Sequence, residues 1–260
     1  MKRKLPNITS KIPPAAAMIL ILAVWQFVSM SGLLPSYMLP SPVAVCQALV
    51  EDISTILFHA RFTLLESFYG LMIGIGLAFV FATLMDRFQV MDQAFYPIMI
   101  ITQTIPTIAI APILVLWMGF GMAPKITLVV ITTFFPITIG LLDGYKSVDT
   151  DAIHLLQAMG ASRAQIFYHV KFPSALPQFF SGLKISASYA VVGAVVSEWL
   201  GGFNGLGVYM TRVKKAYAFD KMFAVIIFIV LISLLLLFAV NVIRQIAMPW
   251  LRREKGEKQS

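Results

Sequence analysis

Charge is scarce in this chain. Lys, Arg, Asp and Glu make up 12% of its 260 residues, against about a quarter in an ordinary soluble domain. The formal net charge of +8 does not mark a nucleic-acid binder. The cations gather at the chain ends and between apolar runs rather than along one stripe. A single cysteine, Cys46, excludes an intrachain disulfide framework. His59, His154 and His169 stand far apart in sequence, so no metal site is expected. The phosphate-binding pattern G-x-x-x-x-G-K-[ST] is missing. Gly205-Leu206-Gly207 is glycine-rich, but no Lys-Ser or Lys-Thr follows at the required spacing. H-E-x-x-H and G-x-S-x-G are missing too. No catalytic residue is expected, and the chain reads as a non-enzyme with no cofactor of its own.

Apolar residues are abundant, at 59%. That is more than a soluble core needs, and the bilayer is the natural solvent for the excess. About 20 mostly apolar residues cross the hydrocarbon as a helix. Six segments qualify: 13–32, 62–85, 95–118, 124–142, 178–200 and 222–247. The predicted fold is therefore all-α, a single polytopic transmembrane domain over residues 1–260. The first run is too long for a signal-peptide core and lacks a clear cleavage pattern, so it reads as a retained span.

Lys and Arg placement sets the orientation. Lys2, Arg3, Lys4, Lys11, Arg87, Lys146, Arg163, Lys171, Arg252, Arg253, Lys255 and Lys258 fall on one side. Arg61, Lys125, Arg212, Lys214, Lys215 and Lys221 fall on the other. The balance puts both termini in the cytoplasm. The Arg212–Lys221 cluster runs against the rule.

One polar segment, Asp149–Pro177, interrupts the apolar pattern on the cytoplasmic side. Asp149, Thr150 and Asp151 are N-cap candidates for a short helix through Met159. Gly160 suits a left-handed C′ position. Ser162 with Gln165 spells a capping box that restarts the helix. Pro173 and Pro177 are expected to break the chain, with Pro177 in the first turn of the fifth span.

The spacing within this segment resembles the cytoplasmic loop of bacterial ABC importer permeases. That pattern is Glu-Ala-Ala, three residues, Gly, nine residues, Ile, one residue, Leu-Pro. Here Gly160 holds the glycine, Val170 the Ile position and Phe172-Pro173 the Leu-Pro position. His154-Leu155-Leu156 replaces Glu-Ala-Ala, which puts a bulkier face where the family meets its ATPase. Leu39-Pro40-Ser41-Pro42 and Ser197-Glu198 followed by Gly205-Leu206-Gly207 resemble the nitrate, sulfonate and taurine branch. The likeness covers nearly the whole chain.

The resemblance implies a type I importer permease in the bacterial inner membrane. Its partners would be ABC ATPase subunits, an extracytoplasmic solute-binding protein and a second permease copy. ATP and Mg²⁺ would be bound by the ATPase. Asp151, His154, Leu155, Met159, Gly160, Ala161, Val170 and Pro173 would couple its motion to the spans by alternating access. A channel or ion-coupled carrier is the rival from another class.

Candidate pathway residues are Glu66, Gln103, Thr104, Ser188, Tyr189 and Glu198. Ionisable groups inside spans usually face a cavity or partner, although both glutamates also lie near enough to a span end to be interfacial. Thr102, Gln103, Thr104 and Thr107 form a polar patch beside Pro106. Sulfonate-type permeases resemble this chain but carry Arg where Glu66 stands. A carboxylate there leans the choice towards a neutral or cationic solute. Glu66 together with the run Glu198-Trp199-Leu200-Gly201-Gly202 leading into Gly205-Leu206-Gly207-Val208-Tyr209-Met210 resembles transporters of thiamine-precursor pyrimidines. That resemblance implies such a heterocycle, with a sulfonate, nitrate or taurine-type anion as the alternative. Gly70 and Gly74, joined by Gly76, read as a close helix approach. Val43–Ala60 reads as an outer helix along the membrane face, an anchor or a contact for the binding protein.

Overall fold

The computed structural model describes residues 12–32, 35 and 37–250. The terminal cations that weigh most on orientation lie outside these residues. Every regular element among the described residues is helical. In chain order they are α1 (Ile12–Met30), α2 (Pro42–Glu51), α3 (Ile53–Arg87), α4 (Gln89–Thr104), α5 (Thr107–Met118) and α6 (Ala123–Lys146). There follow α7 (Thr150–Ala158), α8 (Arg163–Ile166), a π-helical turn (Phe167–Lys171), α9 (Phe172–Leu200), α10 (Leu206–Lys215) and α11 (Phe219–Ala247). Among the described residues five helices are long and apolar enough to cross a membrane, or six with α4 and α5 taken as one broken span.

That break departs from the continuous third span expected over 95–118. α4 and α5 meet at 99°. Ile105 precedes Pro106 and takes extended geometry, φ −79° and ψ 122°. A proline's Cδ excludes its predecessor from the helical region, and its missing N–H leaves the ladder open.

The outer helix expected over Val43–Ala60 also differs. Ser41 caps α2, accepting the Ala44 N–H, and Pro42 fills the first turn. The helix ends at Asp52, and α3 then runs on into the bundle. Part of the apolar side of this stretch packs inward, while Ile53 and Leu57 stay exposed. Val45 and Ala48 meet Ala224 and Trp25, while Ile56 sits with Leu206, Tyr209 and Val225.

The centre is α6, clasped by α3 and α9. Small residues set the approach. A Cβ on Gly70 would strike the Val129 side chain, and one on Gly74 would strike Thr133 Oγ1. Gly76 faces open space and takes no part. On the other flank a Cβ on Gly140 would lie 2.7 Å from the Gln178 carbonyl oxygen. A Cβ on Gly182 would strike the Pro136 carbonyl, and one on Gly144 would meet Ala175 at 2.6 Å. Helices without a water-driven reason to associate rely on such close backbone packing.

α7 and α8 lie at one end of the bundle, after the C-terminus of α6. α2, α10 and the start of α3 lie at the other, where His59 stacks on Tyr209 at 5.1 Å between centroids.

Candidate functional site

Three places carry the functional residues. The first is the α7 end. Asp149 caps α7 by accepting the Asp151 N–H. The helix closes in a Schellman arrangement: Ala161 N–H reaches the Leu156 carbonyl and Gly160 N–H the Gln157 carbonyl. Gly160 sits at φ +83°. Ser162 and Gln165 form the reciprocal capping box.

Pro173 does not break the chain. It lies in the first turn of α9, and Pro177 is inside that helix, which starts six residues before the predicted span at 178. The π turn explains this. Pro173 cannot donate to the His169 carbonyl, so the ladder widens, and Phe172 N–H reaches back five residues to Phe167. Val170 is half-buried in that turn, and Pro173 just after it is half-buried too. The segment is pinned to α3 by Lys171, which contacts both Asp86 oxygens at 2.8 Å.

No α7 residue is buried. Asp151, His154 and Gly160 are exposed and Ala161 is half-buried. Leu155 and Met159, one turn apart, are 63% and 74% exposed. The capped turns thus hold an apolar pair on the exposed face of α7.

The second place is a groove along α6 and α9. Its α10 half is a cavity of about 320 Å³ lined by Thr102, Gln103, Thr104, Ile105, Pro106, Thr107, Ile110, Ile131, Thr132, Tyr189, Val192, Gly193 and Val196. Its α7 half is a cavity of about 430 Å³ lined by Gln103, Phe135, Pro136, Ile139, Gly140, Asp143, Gln178, Ser181, Gly182 and Ile185. Gln103 borders both. The α9 positions 178, 181, 182, 185, 189, 192, 193 and 196 recur at helical spacing on one face. At 1.5 Å per residue the stripe spans about 27 Å, close to the hydrocarbon thickness. The Gln178 amide oxygen is buried with no hydrogen-bond partner among the described residues.

Gln103, Thr104 and Tyr189 are thus brought together. Ser188 is not part of the lining; its hydroxyl turns back to the Lys184 carbonyl at 3.5 Å. Sequence reasoning missed Thr132, Asp143, Gln178 and Ser181. Their signal was the α6 and α9 register facing the proline break. Lys184, also missed, is half-buried on α9, forms no ion pair among the described residues and lies outside both linings.

The third place corrects two pathway assignments. Glu66 and Glu198 are buried, at 1% and 2% exposure, and line neither cavity of the groove. Lys125 Nζ lies 2.8 Å from Glu66 Oε1 and donates to the Asn204 carbonyl at 3.2 Å. Glu198 accepts from the Thr63 hydroxyl at 2.7 Å and from the Gly207 N–H at 2.6 Å. Thr63 in turn accepts the Leu206 N–H at 2.9 Å, and His59 Nδ1 accepts that of Gly205 at 3.1 Å. A Cβ on Gly205 would collide with the Glu198 carboxylate. The 201–207 turn is moulded around Glu198. These groups fasten it to α3 and α6, and the lean towards a cationic solute loses its free carboxylate.

The family model for the binding-protein-dependent transport system inner membrane component matches residues 70–253. The chain belongs to that family. A probable ABC transporter permease protein of Haemophilus influenzae is 38% identical, covering 85% of this chain and 90% of that one. The formylaminopyrimidine transport permease protein ThiX of Halalkalibacterium halodurans is 35% identical over 94% of this chain and 97% of its own. A putative aliphatic sulfonates transport permease protein of Bacillus subtilis is 27% identical over 238 residues, 91% of this chain and 86% of its own length. In fold, the inward-facing methionine ABC transporter MetNI superposes with a TM-score of 0.58 at 21% identity, over 75% of this chain and 95% of that one. This permease is a multi-pass membrane protein of the ABC importer type, related to the branch that includes the pyrimidine and sulfonate permeases.

Proposed function

We propose that this permease moves a small neutral heterocycle, of the thiamine-precursor pyrimidine kind, along the α6–α9 groove. In this reading it works beside a second copy, two ATPase subunits and an extracytoplasmic binding protein, with both termini in the cytoplasm. The observation that carries the reading is the groove: a helical stripe of membrane length, polar where the broken span opens it. No charged side chain lines the α10 half of the groove. The Gln103 amide both donates and accepts, which suits the edge of a heterocycle. Tyr189 is 53% exposed and offers a ring face for stacking. The 35% identity to a formylaminopyrimidine permease points the same way.

The sulfonate reading rests on the more distant Bacillus relative. An anion would meet no cation in the Gln103 cavity and would pass the exposed Asp143 at the α7 mouth.

ATPase docking falls to the exposed face of α7, with Asp151, His154, Leu155 and Met159 as contacts. Gly160, Ala161, Val170 and Pro173 keep the lever's shape. ATP and Mg²⁺ belong to the docked subunit in this scheme, and closing that subunit drags α7 and, through the Lys171–Asp86 pair, α3.

The test is uptake of a labelled aminopyrimidine by cells carrying the assembled transporter. Gln103→Ala and Tyr189→Ala are each expected to raise the half-saturating concentration about tenfold, from the loss of one hydrogen bond or stacking contact worth about 1–1.5 kcal/mol. Taurine or alkanesulfonate uptake with no pyrimidine uptake overturns the solute assignment.

A further inference from the structure

α10 presents a cationic face that no carboxylate pairs with among the described residues. Leu206, Tyr209 and Val213 bury one side of it. Arg212, Lys214 and Lys215 crowd its last turn and are exposed. None of the three forms a salt bridge among the described residues. Arg212 only donates to the Phe203 carbonyl at 3.2 Å, and Phe203 beside it is 81% exposed. Nearby Lys221 differs, being paired with Asp52 at 3.3 Å.

These cations lie at the end of the bundle opposite α7, the extracytoplasmic side of the proposed topology. Positive charge is disfavoured there in setting topology, so its concentration in one helical turn calls for another role. The surface is also concave. A cleft of about 290 Å³ runs between the end of α9 and α10, with Trp199, Arg212 and Lys215 on its walls and Glu198 among its lining residues. Aromatic and arginine side chains around a cleft are the composition of a protein-binding hot spot. A flat headgroup layer would meet the lysines but has no use for the cleft.

We infer that the Trp199–Lys215 cleft is where the extracytoplasmic binding protein docks, through a carboxylate-bearing surface loop seated between Arg212 and Lys215. The inference rests on the importer reading. The family description supplies the partner, and the three unneutralised cations supply its charge. The cleft also borders the turn that Glu198, Thr63 and His59 fasten to α3.

The experiment uses the assembled permease–ATPase complex in nanodiscs, with the solute-binding protein that co-purifies with it, and reads binding-protein-stimulated ATP hydrolysis. The double variant Arg212→Glu, Lys215→Glu changes exposed residues and keeps the complex assembled. It is expected to raise the half-stimulating concentration of binding protein at least tenfold. Raising salt should weaken the wild type and leave the variant little affected. Carboxylate-to-lysine changes on the binding protein should restore the variant. Half-stimulation equal to wild type overturns the dock while leaving the importer reading in place. A loss seen only in discs of anionic lipid assigns the cations to headgroups and also overturns it. A wild-type complex that responds to no binding protein overturns the importer reading and the dock with it.

Discussion

Lys125 and Glu66 stand 59 positions apart in sequence. Both are buried, so the pair sits away from water on every side. Separating such a pair leaves one charge uncompensated, at a cost of about 3–5 kcal/mol. Lys125→Met should therefore lower the melting temperature of the detergent-solubilised complex by several degrees and reduce its yield. Replacing both partners at once, Lys125→Met with Glu66→Gln, should recover most of the loss, because neither member of the pair is left without its partner. Glu66→Arg tests the earlier selectivity argument. It sets a second cation beside Lys125, so it should lose folded protein rather than switch preference from pyrimidine to sulfonate. Unchanged stability in the single variants would contradict a buried pair. Sequence alone flags Glu66 and Glu198 as ionisable groups inside spans. It places Lys125 among loop cations, because a partner brought in by α3–α6 packing leaves no local pattern. The collision of a Gly205 side chain with Glu198 is equally invisible before the turn is folded.

Among the elements, α7 was the most legible. Its start, its glycine stop and the restart at Ser162 all follow from side chains that bond their own neighbouring backbone. Such chemistry is written within a few residues. The π turn and the extension of α9 back to Phe172 were not legible, because they depend on how a proline is absorbed by a ladder whose direction is set by packing. The broken third span lay between these cases. Pro106 was visible, but proline inside a span either kinks or breaks it, and the 99° bend depends on what α4 and α5 pack against. Gly160→Val isolates the legible part. At φ +83° an L side chain is strained by about 1–2 kcal/mol, and a β-branched one fits worst. No neighbouring atom lies within 4 Å of an added Cβ, so the effect is conformational rather than steric crowding. The variant should insert and assemble normally, hydrolyse ATP, and lose most uptake per ATP. Normal uptake with normal hydrolysis would remove Gly160 from the coupling path.

At the scale of the whole molecule, the groove poses a problem that one chain does not solve. Thr102, Gln103 and Thr104 line it, and Ile185, Tyr189 and Val192 beside them are each about half exposed on α9. Polar side chains facing hydrocarbon are costly, and a groove open to lipid does not guide a polar solute. A second copy across a two-fold axis would close it, since a symmetric pair presents the same face from both sides. The proposed pairing makes a definite prediction. In a Cys46→Ser background, which removes the exposed native thiol, Ile185→Cys should join two copies through a short bis-maleimide in native membranes. Leu235→Cys on α11, where the side chain is 71% exposed, should remain monomeric because that face meets lipid. Solute binding should slow the Ile185 crosslink if the groove is occupied during transport. Efficient crosslinking at Leu235 with none at Ile185 would put α11 at the axis and leave the α6–α9 groove facing lipid, where it could carry no solute.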